Sequence, residues 1–299
     1  MVVIFVKSFT LLNIVMLTIL ANIRINEPER LQHLKDSVHS FDSVSDNWLV
    51  NITGDLRKEA IDFLRQTLGD RATFFDLSQK QDGWLNNAIA MLKFAKYDLI
   101  LPWNEDHMNV APQDMYKKIA QDLADSNANY MLTSWWLFGK DRAFFDNLAD
   151  ELDMHRGKYV DTVYMTKAKW HKLLASGYPY FLLSMCGIYR RELFEKMLYQ
   201  DIRKLPIFFT KILFKVMGFL NIIGIRFNTK RAFDNINKLF FNKLRKYPAY
   251  TPFELEKPPT RTDMLPLTIA ISKRELFACI DDDLDTTGYA LISRGLYKN

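Results

Sequence analysis

Cysteine is nearly absent. The 299 residues include two, Cys186 and Cys279. Each sits in an apolar stretch, and their separation offers no metal-ligand spacing. They read as buried reduced thiols, which fits a cytoplasmic location, and a bridge between them is the only disulfide the chain allows. No G-x-x-x-x-G-K-[ST] run is present, which excludes a P-loop. No Ser/His/Asp or Cys/His arrangement stands out for nucleophilic catalysis. Neither an internal repeat nor a low-complexity tract appears. Four of the five histidines (His33, His39, His155, His171) read as structural or exposed. A clean membrane span is missing too. The first 23 residues are apolar but punctuated by Lys7, Ser8, Thr10, Asn13, Thr18 and Asn22, and no small-residue cleavage site follows. That run divides into an apolar extension over 1–14, whose use as a membrane anchor stays open, and a first core strand over Val15–Ala21.

Hydrophobic residues make up 48% and charged residues 25%, an ordinary globular balance, and the length suits one large α/β domain or two small ones. The net charge of +5 is unevenly spread. Residues 201–250 hold 11 Lys/Arg against 2 Asp, so the rest of the chain is acidic on balance. Within that stretch Leu205–Ile225 is apolar, with Lys211 and Lys215 one helical turn apart among Phe208, Phe209, Phe219 and Leu220. Two central lysines are costly in a spanning helix and natural in an interfacial one. The pattern predicts a basic amphipathic helix for an anionic membrane surface rather than for nucleic acid. The competing reading is a core-packing helix with a solvated lysine face.

The N-terminal third alternates strand and helix. Apolar runs at Val15–Ala21, Trp48–Ile52, Ala72–Phe75 and Leu99–Trp103 have strand length. Between them Leu31, Leu34 and Val38, then Leu56, Ala60, Phe63, Leu64 and Leu68, then Leu85, Ile89, Leu92 and Ala95 recur at helical spacing. Short β-α-β connections predict a parallel sheet with helices on both faces. Further on, helices are expected over Pro112–Ser126, Phe144–Leu152, Lys167–Ala175 and Arg190–Leu198. Strands are expected over Tyr130–Phe138, Tyr159–Met165 and Leu267–Ile271, and Phe181–Ile188 reads as buried. Four prolines over Pro248–Pro259 mark a boundary.

The fourth strand ends in Asn104-Glu105-Asp106-His107. Ligands bind at the carboxyl ends of strands in open α/β sheets, and adjacent carboxylates there suit a divalent cation that bridges to phosphates. With Gly83, Asn86 and Asn87 in the preceding helix, this order resembles the nucleotide-sugar half of a GT-A glycosyltransferase of the family 2 type. The resemblance covers about residues 15–110. More loosely, Gly187-Ile188-Tyr189-Arg190-Arg191-Glu192 resembles the arginine-bearing stretch of that family's acceptor half. Asn104 departs from the family's Asp-x-Asp motif, and the arginine that often precedes the helix asparagine is missing.

The resemblance implies a GT-A-like, mostly parallel α/β sheet flanked by helices, with a helical basic amphipathic insertion in the C-terminal half. Its expected parts are a nucleotide-sugar half over 15–110, an acceptor side over 111–200, the basic segment over 201–247 and a closing segment over 248–299. The implied activity is transfer of a sugar from a nucleotide-sugar donor to a saccharide or lipid-linked acceptor in surface polysaccharide synthesis, at the inner membrane face. Asn22, Gly83, Asn87, Glu105, Asp106, Arg190 and Arg191 are expected at the donor. Asp106, Glu105 and His107 are expected at a Mn²⁺ or Mg²⁺ ion, and Glu254, Asp282 or Asp283 at the acceptor proton. Two alternatives stand beside it. One is a catalytically silent relative that binds a membrane surface. The other is a sugar nucleotidyltransferase, against which the glycine-free stretch Asn22–Asn26 counts.

Overall fold

The structure is a computed structural model. It describes residues 16–80, 83–132, 140–178, 182–199, 202–204, 245–247, 255, 262–281 and 290–297. The predicted basic amphipathic helix, the 1–14 extension, Glu254, Asp282 and Asp283 lie outside the described residues. Among the described residues, no helix is long and apolar enough to cross a membrane.

The expected β-α order is found from the first strand onward. β1 (Leu17–Arg24), α1 (Pro28–Ser40), β2 (Trp48–Thr53), α2 (Arg57–Leu68), β3 (Ala72–Phe75), α3 (Trp84–Leu92) and β4 (Leu99–Pro102) follow one another. Local chemistry fixes the helix ends. Pro28 occupies the first turn of α1, where its missing N–H costs no bond, and Glu29 beside it suits the positive helix end. Gly54 after β2 has φ +100°, and a β-carbon there would stand 2.4 Å from the Ile25 carbonyl oxygen. Only glycine fits that approach between the ends of β1 and β2.

β5 (His107–Asn109), α4 (Asp114–Asp125), β6 (Tyr130–Leu132), α5 (Lys140–Asn147), β7 (His155–Arg156), β8 (Val160–Met165), α6 (Lys167–Ala175), β9 (Gly187–Arg190) and α7 (Arg191–Tyr199) follow. After them come β10 (Ile202–Lys204), β11 (Arg245–Tyr247), β12 (Leu267–Ser272) and β13 (Phe277–Cys279). Nine strands form one sheet in the order β3-β2-β1-β4-β9-β6-β12-β8-β7. Only β9 and β8 run against the rest, so the sheet is mixed but mostly parallel. β10 and β11, at the two ends of the basic segment, pair antiparallel.

Strand alternation sorts the core into two layers. Leu17, Ile19, Ala21 and Ile23 of β1 share a cluster with buried residues of α1, α2 and α4. Leu20 of the same strand packs in a second cluster with residues of α3, α6 and α7. Each fully buried aliphatic side chain contributes about 1.5–3 kcal/mol. Helices thus pack against both faces of the sheet.

Candidate active site

β1, β2 and β4 run parallel; Arg24 and Thr53 are level at the carboxyl ends of β1 and β2, and β4 stops at Pro102, level with Leu20. The chain leaves β4 through Trp103, whose N–H donates to the Leu20 carbonyl at 3.0 Å. It then turns at Asn104–Asp106, with the His107 N–H donating to the Asn104 carbonyl at 3.3 Å. β5 pairs antiparallel with β13, which sets Cys279 opposite His107. The Ile280 N–H donates to the Asp106 carbonyl at 2.6 Å, and Ser37 Oγ of α1 donates to the His107 carbonyl. The acidic turn is therefore pinned from three directions: β1, α1 and the C-terminal ribbon.

Its side chains form a charged array at low exposure. Glu105 is 2% exposed and ion-paired with the half-exposed Arg30 of α1. Burial first, and the neighbouring Asp106 charge second, push the Glu105 carboxyl up, while Arg30 opposes them. Asp106 Oδ1 lies 2.6 Å from His107 Nδ1, and Cys186 Sγ lies 3.5 Å from His107 Nε2. Burial alone would raise Asp106, but His107 and Arg30 together hold its carboxyl below the usual range. Burial alone would lower His107, and the flanking Cys186 and Asp106 reverse that and raise it. Burial pushes the Cys279 thiol up to about 12. A small cavity lined by Phe41, Trp103, Cys186 and Phe277 adjoins the His107 ring.

Asp106, His107 and Cys279 present donor atoms within 4.8 Å of one another. One carboxylate, one imidazole and one thiol make a borderline donor set, suited to a first-row transition cation rather than to Mg²⁺ with its preference for oxygen. Glu105, expected beside Asp106 at a metal, is instead joined to Arg30.

The expected donor asparagines form a network that ties strand ends to the start of α3. Asn51 Nδ2 donates to Asn22 Oδ1 at 3.0 Å, and Asn22 Nδ2 donates to the Trp84 carbonyl at 2.8 Å. Trp84 Nε1 donates to the Asn22 carbonyl at 2.8 Å, and the Leu77 N–H donates to Asn51 Oδ1 at 3.3 Å. Asn87 Nδ2 donates to the Ser78 carbonyl at 2.9 Å. A β-carbon on Gly83 would meet Ser78 Oγ at 2.9 Å. These bonds tie Leu77 and Ser78, just after β3, to β2 and to α3.

Arg190 and Arg191 stand at the opposite end of the sheet. Leu99, the first residue of β4, pairs with Arg190. Arg190 donates to the carbonyls of Ala128 and Leu123 and to Asp98, closing the end of α4. The Arg191 N–H donates to the Asp98 carbonyl at 2.7 Å and its guanidinium to the Ala95 carbonyl. The structure thus holds Asn22, Gly83 and Asn87 around the start of α3 and Glu105, Asp106 and His107 against α1 and β13, and leaves the two arginines at the opposite end of β4. Sequence reasoning missed Arg30, Cys186 and Cys279. Arg30 had a readable signal: an arginine in the first turn of the helix after β1, where a buried rim acid needs a cation. The cysteines had none, because strand pairing brings them in across long separations.

No protein-family model and no curated protein sequence matches the chain. Solved glycosyltransferase structures match it over about 60% of its length. TarS of S. aureus is 13% identical with a TM-score of 0.38, over 61% of this chain and 29% of that one. TarS 1–349 in complex with UDP-GlcNAc is 13% identical with a TM-score of 0.38, over 60% and 47%. The mannosyltransferase PcManGT from Pyrobaculum calidifontis, in complex with GDP-Man and Mn²⁺, is 14% identical with a TM-score of 0.36, over 60% and 46%. The chain spans less than half the length of each of these structures.

Proposed function

We propose that the protein is a glycosyltransferase that moves a sugar from a nucleotide-sugar donor to a saccharide or lipid-linked acceptor in surface polysaccharide synthesis. The observation that carries this reading is the delivery of Glu105, Asp106 and His107 to the turn at the carboxyl end of β4, beside parallel β1, with Arg30 joined to Glu105. Departure of a nucleoside diphosphate concentrates negative charge on phosphate oxygens, and fixed positive groups there lower the barrier. A first-row divalent cation held by Asp106, His107 and Cys279 would supply part of that charge when bound. Arg30 supplies another part: its head is half exposed, so a phosphate oxygen can share the guanidinium with Glu105. Glu105 in turn keeps Arg30 aimed at the rim. The asparagine network holds the loop from β3 to α3 where the nucleotide would lie. The acceptor hydroxyl proton is assigned to a carboxylate of the closing segment, Asp282, Asp283 or Glu254. The basic segment around Lys211 and Lys215 is assigned to an anionic membrane surface that presents the acceptor.

Asn104, in the place of an acid, favours one second reading, a catalytically silent relative that binds at a membrane surface. A thermal-shift panel of UDP- and GDP-sugars with Mn²⁺, followed by donor hydrolysis, separates the two. The transferase reading expects stabilisation by at least one nucleotide sugar, slow release of its nucleoside diphosphate, and loss of both in Asp106→Ala. Stabilisation without turnover favours the silent relative. No response in either assay sinks the donor site.

A further inference from the structure

Helix α1 carries a second set of ligand-type side chains outside the strand-end turn. Glu29 and His33 lie one turn apart and share a face. Asp281, two residues beyond Cys279 at the end of β13, meets that face. Its position is fixed by backbone, since the Ile280 N–H is bonded to the Asp106 carbonyl and Cys279 Sγ donates to the Asp281 carbonyl at 2.6 Å. One donor atom from each of Glu29, His33 and Asp281 lies within 4.8 Å of the others.

His33 is the informative member. It is 3% exposed, and among the described residues its buried Nε2 has no hydrogen-bond partner. Nδ1 stands 3.8 Å from Asp281 Oδ1, beyond hydrogen-bond reach. The ring is held edge-on to Tyr297, with centroids 5.8 Å apart, and the Tyr297 hydroxyl donates to Asp36 one turn further along α1. Nδ1 is the nitrogen nearer the Asp281 carboxylate, and a metal ion held there is a partner that suits a buried imidazole beside two carboxylates. Metal bonds of about 2.1 Å place two ligands about 3 Å apart when adjacent and about 4.2 Å apart when opposite. To reach adjacent positions, the 3.8 Å between His33 Nδ1 and Asp281 Oδ1 would close by about 0.8 Å, a shift that side-chain rotation of the exposed Glu29 and of Asp281 supplies. Among the described residues, no lysine or arginine forms an ion pair with Glu29 or Asp281; the Arg30 guanidinium is joined to Glu105 and feels the Asp281 charge from further off.

We propose that Glu29, His33 and Asp281 form a second divalent-cation site, distinct from the Asp106 turn. Two carboxylates and one imidazole suit Mn²⁺ or Zn²⁺, with water or a substrate oxygen completing the shell. The site stands on these three side chains and not on the transferase reading.

The test titrates Mn²⁺ alone into the full chain and counts free ion by its paramagnetic resonance signal. Two binding classes are expected. Glu29→Gln and Asp281→Asn should each weaken one class at least tenfold, while Asp106→Asn leaves that class intact. Glu29 is exposed, so Glu29→Gln reports on binding without disturbing the core. The proposal is overturned if either variant keeps wild-type affinity in both classes, if Asp106→Asn alone removes all binding, or if the chain binds no Mn²⁺.

Discussion

Asp161 offers a sharp test of how the far half of the sheet is held. Its side chain is fully buried on β8, yet it accepts from Arg142 of α5, from Arg156 Nη1 of β7 at 2.9 Å and from the Gly157 N–H at 3.1 Å. Lys273 Nζ, just beyond β12, stands 3.2 Å from Oδ1, the oxygen that takes the Gly157 N–H, while both arginines meet Oδ2. One carboxylate therefore joins four segments. Asp161→Asn keeps the shape, so no cavity term arises, but it removes the charge and turns an amide donor toward cations. Breaking one side of a buried pair costs about 3–5 kcal/mol. Arg156 and Lys273 are 46% and 34% exposed, so solvent screens their share. The loss should fall to about 2–4 kcal/mol, a fall in Tm of about 5–10 °C for a chain of this size.

The pH dependence follows from direction. Burial would raise the Asp161 pKa, but Arg142, Arg156 and Lys273 together depress it. A depressed folded-state pKa gives stability that is fully present above the unfolded value of about 3.9 and is lost as pH falls through the folded one. Urea denaturation of both proteins at pH 7, 5, 4 and 3 measures this. The gap should be constant from pH 7 to 5 and narrow at pH 4 and below. A gap under about 1 kcal/mol at pH 7, or one unchanged at pH 3, would refute the reasoning.

Three further outcomes are expected. Gly54→Ala should destabilise by at least about 1–3 kcal/mol in urea, because the residue would hold φ +100° with its β-carbon against the Ile25 carbonyl. Asn22→Ala strands Asn51 Nδ2 and removes a second bond to the Trp84 carbonyl, so it should cost about 1–3 kcal/mol by the same measurement and weaken nucleotide-sugar affinity through the start of α3. Arg190→Lys should cost about 1–2 kcal/mol by loosening the end of α4, yet leave donor affinity within twofold by calorimetry, since the residue lies at the opposite end of the sheet.

The N-terminal half was legible because its pattern is local. Leu31, Leu34 and Val38 announce α1 from spacing alone, and the apolar runs of β1, β2 and β4 have no other compact use. The turn Asn104–His107 was legible as a rim for the same reason. What escaped depends on pairing across long separations. β9 slips antiparallel between β4 and β6, which carries Arg190 to the far end of the sheet, and no local period encodes that choice. Cys279 shows no metal-like spacing because its neighbours Asp106 and His107 reach it only through the β5–β13 ribbon. His33 reads as an unremarkable helix histidine until β13 brings Asp281 against it. Helix α5 begins at Lys140, four residues ahead of the apolar pattern that marks it, since its first turn is polar.

The central claim is that the rim around Asp106 binds a nucleotide sugar. Isothermal titration of UDP- and GDP-sugars in Mn²⁺, into wild type and Asp106→Ala, tests it directly. The account predicts saturable one-site binding of at least one nucleotide sugar, weakened at least tenfold by the substitution, which is a loss of about 1.4 kcal/mol or more. Equal affinity in both proteins, or no binding of any nucleotide sugar to the wild type, would contradict it.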